Sequence, residues 1–252
     1  MNVDVRFVDA HTPKVREPVF VEGLPGVGNV GKLAAQQLVD TLDATLWCDV
    51  FCTDFPPQVT VQTDGTVRLV RNQLWSVPAT KTAPALVIMT GDYQPLTSPG
   101  QFQVVGGVLE RLAALGAKTM YTLGGYGVGS PVEEPAVLGA ATDLKTVARL
   151  KEAGVEFRED EPGGGIIGAS GLFLGLGMER GMRGACLMGE TSGFMVDPKA
   201  ARALLQVLGP LLGRELDLES LEEKAKEIDR LAQQLHEAEV AAKEPSDLHY
   251  IG

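Results

Sequence analysis

Apolar residues recur along this chain with two different periods, and the places where the period changes mark its elements. Val19 to Val21 is a short apolar run of strand type, while Lys32 to Val39 repeats apolar residues at helical spacing. The loop between them holds Gly23, Pro25, Gly26, Gly28 and Gly31, so the pattern predicts a buried strand turning tightly into a helix. Val3 to Val8 reads as an edge strand and Ala44 to Phe51 as a second strand. Phe55-Pro56-Pro57 then imposes an extended connection, because proline fixes its own φ and turns the preceding residue away from helix. Val59 to Gln62 and Val67 to Val70 flank Asp64-Gly65, a hairpin signal that makes this part of the sheet antiparallel.

From Pro84 onward strands alternate with helices, which requires crossover connections and parallel pairing. The expected strands are Ala85 to Thr90, Lys118 to Leu123 and Ala185 to Met188. One helix starts at Ser98-Pro99-Gly100-Gln101, read as a capping box, and ends at Gly116. Others run from Thr142 to Ala153 and from Asp197-Pro198 to about Leu212. In Gly163 to Gly177 the spacing of Gly168, Gly171 and Gly175 gives a helix one side almost bare of side chains, for close approach of another backbone. The expected fold is α/β over residues 1–214, a mixed sheet flanked by helices.

Residues 215–244 change character. Leu218, Leu221, Ala225, Ile228, Ala232 and Leu235 step by three and four, predicting a C-terminal heptad-patterned helix that buries its stripe on its own body or on another subunit. Pro245 ends that helix and opens a tail over residues 245–252. Within the tail, Leu248, His249, Tyr250, Ile251 and Gly252 read as a partner-binding peptide with the tyrosine as amphipathic anchor.

A chain of 252 residues with 44% apolar content can bury the core of one large domain. The net charge of −11 argues against nucleic acid or an anionic membrane as primary partner, since both reward clustered Lys and Arg. With no secretory leader or membrane-length apolar run, a cytoplasmic location is expected. Cys48, Cys52 and Cys186 show no metal-type spacing and read as reduced core thiols, so neither a metal nor a cofactor is expected.

Candidate chemistry centres on the glycine loop. Gly26, Gly28 and Gly31 satisfy G-x-G-x-x-G, with Asp49 placed as a ribose-binding acid would be. Gly26 to Lys32 also spells G-x-x-x-x-G-K, but Leu33 stands where a Mg²⁺-binding hydroxyl is required, which argues against a nucleoside-triphosphate hydrolase. The loop either holds an anion with Lys32 or lets the helix lie against the sheet. Asp92, Gln94, Tyr126 and Glu190 fall at predicted strand ends and with the loop define a candidate crevice, Asp92 and Glu190 being its carboxylate pair. Ser170 misses a nucleophile elbow because Leu172 replaces the last glycine, and His11, His236 and His249 lie near the chain ends.

Several segments together resemble the PAC2 family of proteasome assembly chaperones in its archaeal and bacterial single-chain form. They are Gly23 to Ala35, Phe55 to Val59, Thr90 to Pro95, Tyr121 to Gly127, Gly165 to Gly177, Cys186 to Phe194 and Val196 to Ala201. The resemblance implies a purine nucleoside phosphorylase-like sandwich without established catalysis. It also implies self-association into a homo-oligomer and binding to proteasome α subunits through a C-terminal hydrophobic-Tyr-X tail. That motif has tyrosine next to last, whereas Tyr250 is third from the end. The expectation is a non-enzymatic assembly chaperone or adaptor. The competing one is an enzyme or sensor that takes a nucleoside-like or phosphorylated small molecule in the crevice.

Overall fold

The computed structural model describes residues 3–159 and 165–243, except for the side chains of 232, 233 and 235–243. Ten strands and six helices follow in the order β1 (Val5–Asp9), β2 (Val19–Glu22), α1 (Val30–Thr41), β3 (Thr45–Cys52), β4 (Val59–Val61), β5 (Val67–Leu69), β6 (Asn72–Val77), β7 (Leu86–Gly91), α2 (Ser98–Ala114), β8 (Thr119–Gly127), β9 (Val137–Ala141), α3 (Leu144–Glu152), α4 (Ala169–Glu179), β10 (Arg183–Thr191), α5 (Pro198–Leu211) and α6 (Glu219–Lys243). Eight strands form one mixed sheet in the order β1-β3-β6-β7-β2-β8-β10-β9. Its four central strands, β7, β2, β8 and β10, run parallel, and the remaining pairings are antiparallel.

The central strands are apolar on both faces because helices cover both, the condition that parallel pairing imposes. Phe20, Val87, Met89 and Met120 pack toward α2 and α4, and Val21, Ile88, Tyr121 and Leu123 toward α1 and α5. The three-layer sandwich is the α/β arrangement expected. Phe20 and Phe173 meet with ring centroids 5.0 Å apart, which pins α4 to the middle of the sheet.

The antiparallel region departs from expectation. β4 and β5 pair with each other in a separate two-stranded sheet, because β6, which the pattern did not reveal, occupies the place between β3 and β7. Two of its buried positions carry Asn72 and Ser76, so the alternation that marks a strand is masked by polar side chains. β9 was hidden for a different reason: it is short and its last three residues are Gly139, Ala140 and Ala141, Gly139 being closed over by Val155 and Phe157.

Helix starts also differ in detail. The N-cap of α2 is Thr97, not Ser98: its Oγ1 accepts from Gly100 N at 3.3 Å, and Asp54 Oδ2 holds Thr97 in place from its N at 2.7 Å. Asp143 and Asp197 cap α3 and α5. In α4 the expected glycine side is a contact surface only in its first turn: a Cβ on Gly171 would lie 2.1 Å from the backbone oxygen of Ile166, and one on the N-cap Gly168 2.7 Å from Gln94 Oε1, while Gly175 faces open space. Gly177 meets Met120, where a Cβ would lie 2.3 Å from the methionine methyl.

Beyond Leu216 the chain folds back along α5. Leu221 and Ala225 on the first turns of α6 are buried against the body, Gln37 bonds Asp217 O and Ser220, and Lys199 of α5 pairs with Asp229. Ile228 is half-buried and Leu231 is 52% exposed, so the stripe leaves the body midway along the helix. The side chains of Ala232 and Leu235 lie outside the described residues. No helix among the described residues is long and apolar enough to cross a membrane.

Candidate functional site

The loop after β2 sits at the carboxyl ends of the central strands. Gly26 leads into a single 3-10 turn, Val27–Asn29, in which Gly28 has φ +60° and Asn29 φ +50°. Two of the loop's amides are used internally: Asn29 N donates to Gly26 O at 3.0 Å and Val30 N to Val27 O. Packing accounts for the glycines. A Cβ on Gly31 would lie 2.1 Å from Leu123 O, and one on Gly23 would lie 2.1 Å from Gly31 O. Helix α1 therefore rests backbone to backbone on β8. Asp49, the expected ribose acid, is on β3, three strands from β2, or about 14 Å at the usual strand spacing. It bonds Arg71 and Gln73 instead, so the dinucleotide geometry is not formed.

The carboxylate pair is not brought together either. Asp92 follows β7 and Glu190 lies on β10, again three strands apart and about 14 Å. Each has its own arginine. Arg68 from β5 grips both oxygens of Asp92, and Arg71 N donates to Oδ2 at 2.9 Å. Burial alone would raise the Asp92 pKa, but these bonds and the charge of Lys32 leave it below the usual carboxylate value. Glu190 accepts from Arg158 at 2.7 Å and from Ala136 N at 3.3 Å. Both carboxylates thus act as anchors for flanking segments, not as a general acid and base facing one space.

Gln94 ties the crevice together. Its Nε2 donates to Pro25 O at 2.8 Å and its Oε1 accepts from Ala169 N at 3.0 Å, which joins the glycine loop to the start of α4. Tyr126 is half-buried against the α2 and α4 side of the core. Beneath them lies a group that sequence reasoning missed. Glu22 is fully buried at the end of β2, accepting from Ser170 Oγ at 2.9 Å and Leu24 N at 3.1 Å. Burial raises its pKa to about 7 despite those two bonds. An acid directly following the apolar run Val19 to Val21 was the available signal. Around the mouth the surface is apolar: Val27, Val128 and Phe194 are 45%, 39% and 81% exposed. Among the described residues no cluster of His, Cys, Asp and Glu could hold a metal ion. The tail residues Leu248, His249, Tyr250, Ile251 and Gly252 lie outside the described residues.

These features define an α/β sandwich whose strand-end crevice is closed by backbone packing and internal ion pairs, with a helix carried on its outer layer. The chain belongs to the PAC2 family, whose model matches residues 20–236. It is 39% identical over 242 residues to the uncharacterized protein MJ1210 of Methanocaldococcus jannaschii, covering 93% of this chain and 92% of that one. Among solved structures it resembles Pyrococcus furiosus PbaB, an archaeal proteasome activator, with a TM-score of 0.88 at 38% identity over 92% of this chain and 98% of PbaB. It also resembles P. furiosus PbaA, an archaeal homolog of proteasome-assembly chaperone, with a TM-score of 0.77 at 27% identity over 94% of each chain.

Proposed function

We propose that this protein is a non-enzymatic, proteasome-directed assembly chaperone or activator that self-associates and engages proteasome α subunits through its C-terminal segment, with Tyr250 as the anchor. The observation that carries the reading is its likeness to PbaB at 38% identity over almost the whole of both chains. The chemistry of the crevice supports it: Asp92 and Glu190 are each spent on an arginine, and the glycine loop is filled by its own backbone. Self-association would carry several tails on one body and raise avidity above that of one short peptide.

The test is a pull-down of proteasome α subunits with the full chain and with a chain ending at Asp247. Full-length protein is expected to retain the α subunits and the shortened one to lose them. Equal capture by both would remove the tail from the mechanism, and capture by neither would remove the proteasome as partner.

A further inference from the structure

At the opposite end of the sheet, where β8 and β10 begin, a cavity of about 220 Å³ opens between the strands and α3. Its wall carries Lys145, Arg149 and Arg183, together with Thr119, Tyr121 and Asp143. The register explains the space. Arg183 lies beside Thr119 and Ala185 beside Tyr121, and Ala185 in turn pairs with Ala141 of β9, so two small side chains leave the tyrosine ring without a large neighbour on that side. Lys145 and Arg149 are one helical turn apart on α3 and face the same space.

Three cations converge here in a chain whose 33 acids outnumber its 22 bases. Elsewhere basic side chains such as Arg68, Arg71, Arg111, Arg158 and Lys199 are matched with acids. Lys145 and Arg183 form no ion pair with any described residue, and Arg149 makes one bond, from Nη2 to Leu211 O at 3.1 Å. Asp143 is the one acid on the wall, and it is engaged: Thr146 N and Oγ1 donate to it at 2.9 and 2.8 Å, and Thr142 Oγ1 at 3.3 Å. Two positive charges therefore remain in excess. Tyr121 adds a neutral donor: the residue is only 3% exposed, while its hydroxyl bonds no described residue and opens on the cavity.

We infer that this cavity is a binding site for a small, multiply charged oxyanion of the phosphate or phosphate-monoester class, held by Lys145, Arg149 and Arg183 with the Tyr121 hydroxyl as a neutral donor. Paired cations and a fixed donor suit a compact dianion better than a single carboxylate. The volume decides against larger ligands, since sites for drug-sized molecules occupy roughly 300–1,000 Å³. A nucleotide would leave its base and sugar outside. The site is remote from the glycine loop, so its occupancy is independent of the crevice.

Isothermal titration calorimetry with inorganic phosphate and with phenyl phosphate tests this, at ionic strength held constant with potassium chloride. The full chain is expected to give saturable binding of one anion per chain. Stronger binding of phenyl phosphate than of phosphate would mark a monoester site, and the reverse order a site for the free ion. Arg183→Gln and Lys145→Gln, both at exposed positions, are expected to weaken binding about tenfold, as loss of a charge-assisted hydrogen bond does. Tyr121→Phe should weaken it without lowering the melting temperature of the free protein. Lys224→Gln, an exposed lysine on α6, should leave it unchanged. No heat beyond that of chloride, or equal affinity in Arg183→Gln and the parent, would overturn the proposal.

Discussion

Glu22 is where a single side chain most affects the behaviour of the protein. Its pKa is about 7 when folded and 4.5 when unfolded. Below pH 4.5 the carboxyl is neutral in both states and does not influence folding. As pH rises from there toward 7 the unfolded chain ionises while the folded one keeps its proton, so stability falls, by a total of about 3 kcal/mol. Glu22→Gln keeps an acceptor for Ser170 or Leu24 and cannot ionise. Urea unfolding from pH 4 to 8 should therefore show the parent losing stability relative to the variant by about that amount, with the gap opening between pH 4.5 and 7. A constant difference across the range would mean that Glu22 is not buried as described. Gly31 acts by absence of a side chain. Gly31→Ala drives a methyl to 2.1 Å from Leu123 O, which only a shift of α1 relieves. A loss of about 3 kcal/mol or more is expected in the same unfolding assay.

The elements differ in how openly they announced themselves. α1, α2 and α5 and the central strands were legible because each has one dominant period and a breaker or cap at its ends, as Asp197 followed by Pro198 illustrates. β6 was not, because Asn72 and Ser76 occupy core positions where the pattern expects apolar residues, and their partners come from β3 and β7. α6 was legible as a helix, but its stripe alone does not say what covers it. In the structure its first half rests on α5. Leu221→Ala is expected to cost about 2–3 kcal/mol, as deletions of a buried leucine do, and to open α6 to limited proteolysis. Leu231→Ala, at a position 52% exposed, should change stability by less than about 0.5 kcal/mol. A large destabilisation of the unassociated protein by Leu231→Ala would place that face against the body.

Across the whole molecule, the cysteines report on cooperativity. Cys48, Cys52 and Cys186 are unpaired and buried in one apolar cluster, and burial pushes the Cys48 and Cys186 thiols up to about 12. A thiol-reactive dye at pH 8 should label the native protein only as fast as it opens, and all three sites at once in urea. Rapid labelling of one site would show that its element opens separately. Chain-wide, hydrophobic period and turn chemistry determined the α/β class and the approximate placing of most helices, since these depend on neighbours a few residues apart. The partners of Asp49, Asp92 and Glu190 were decided only by tertiary structure, because strand order sets which ends adjoin, and strand order is a property of pairings between residues distant in sequence. The same holds for the basic cavity: Lys145 and Arg183 are 38 positions apart in the chain and meet only because β9 and β10 run antiparallel with α3 laid over them.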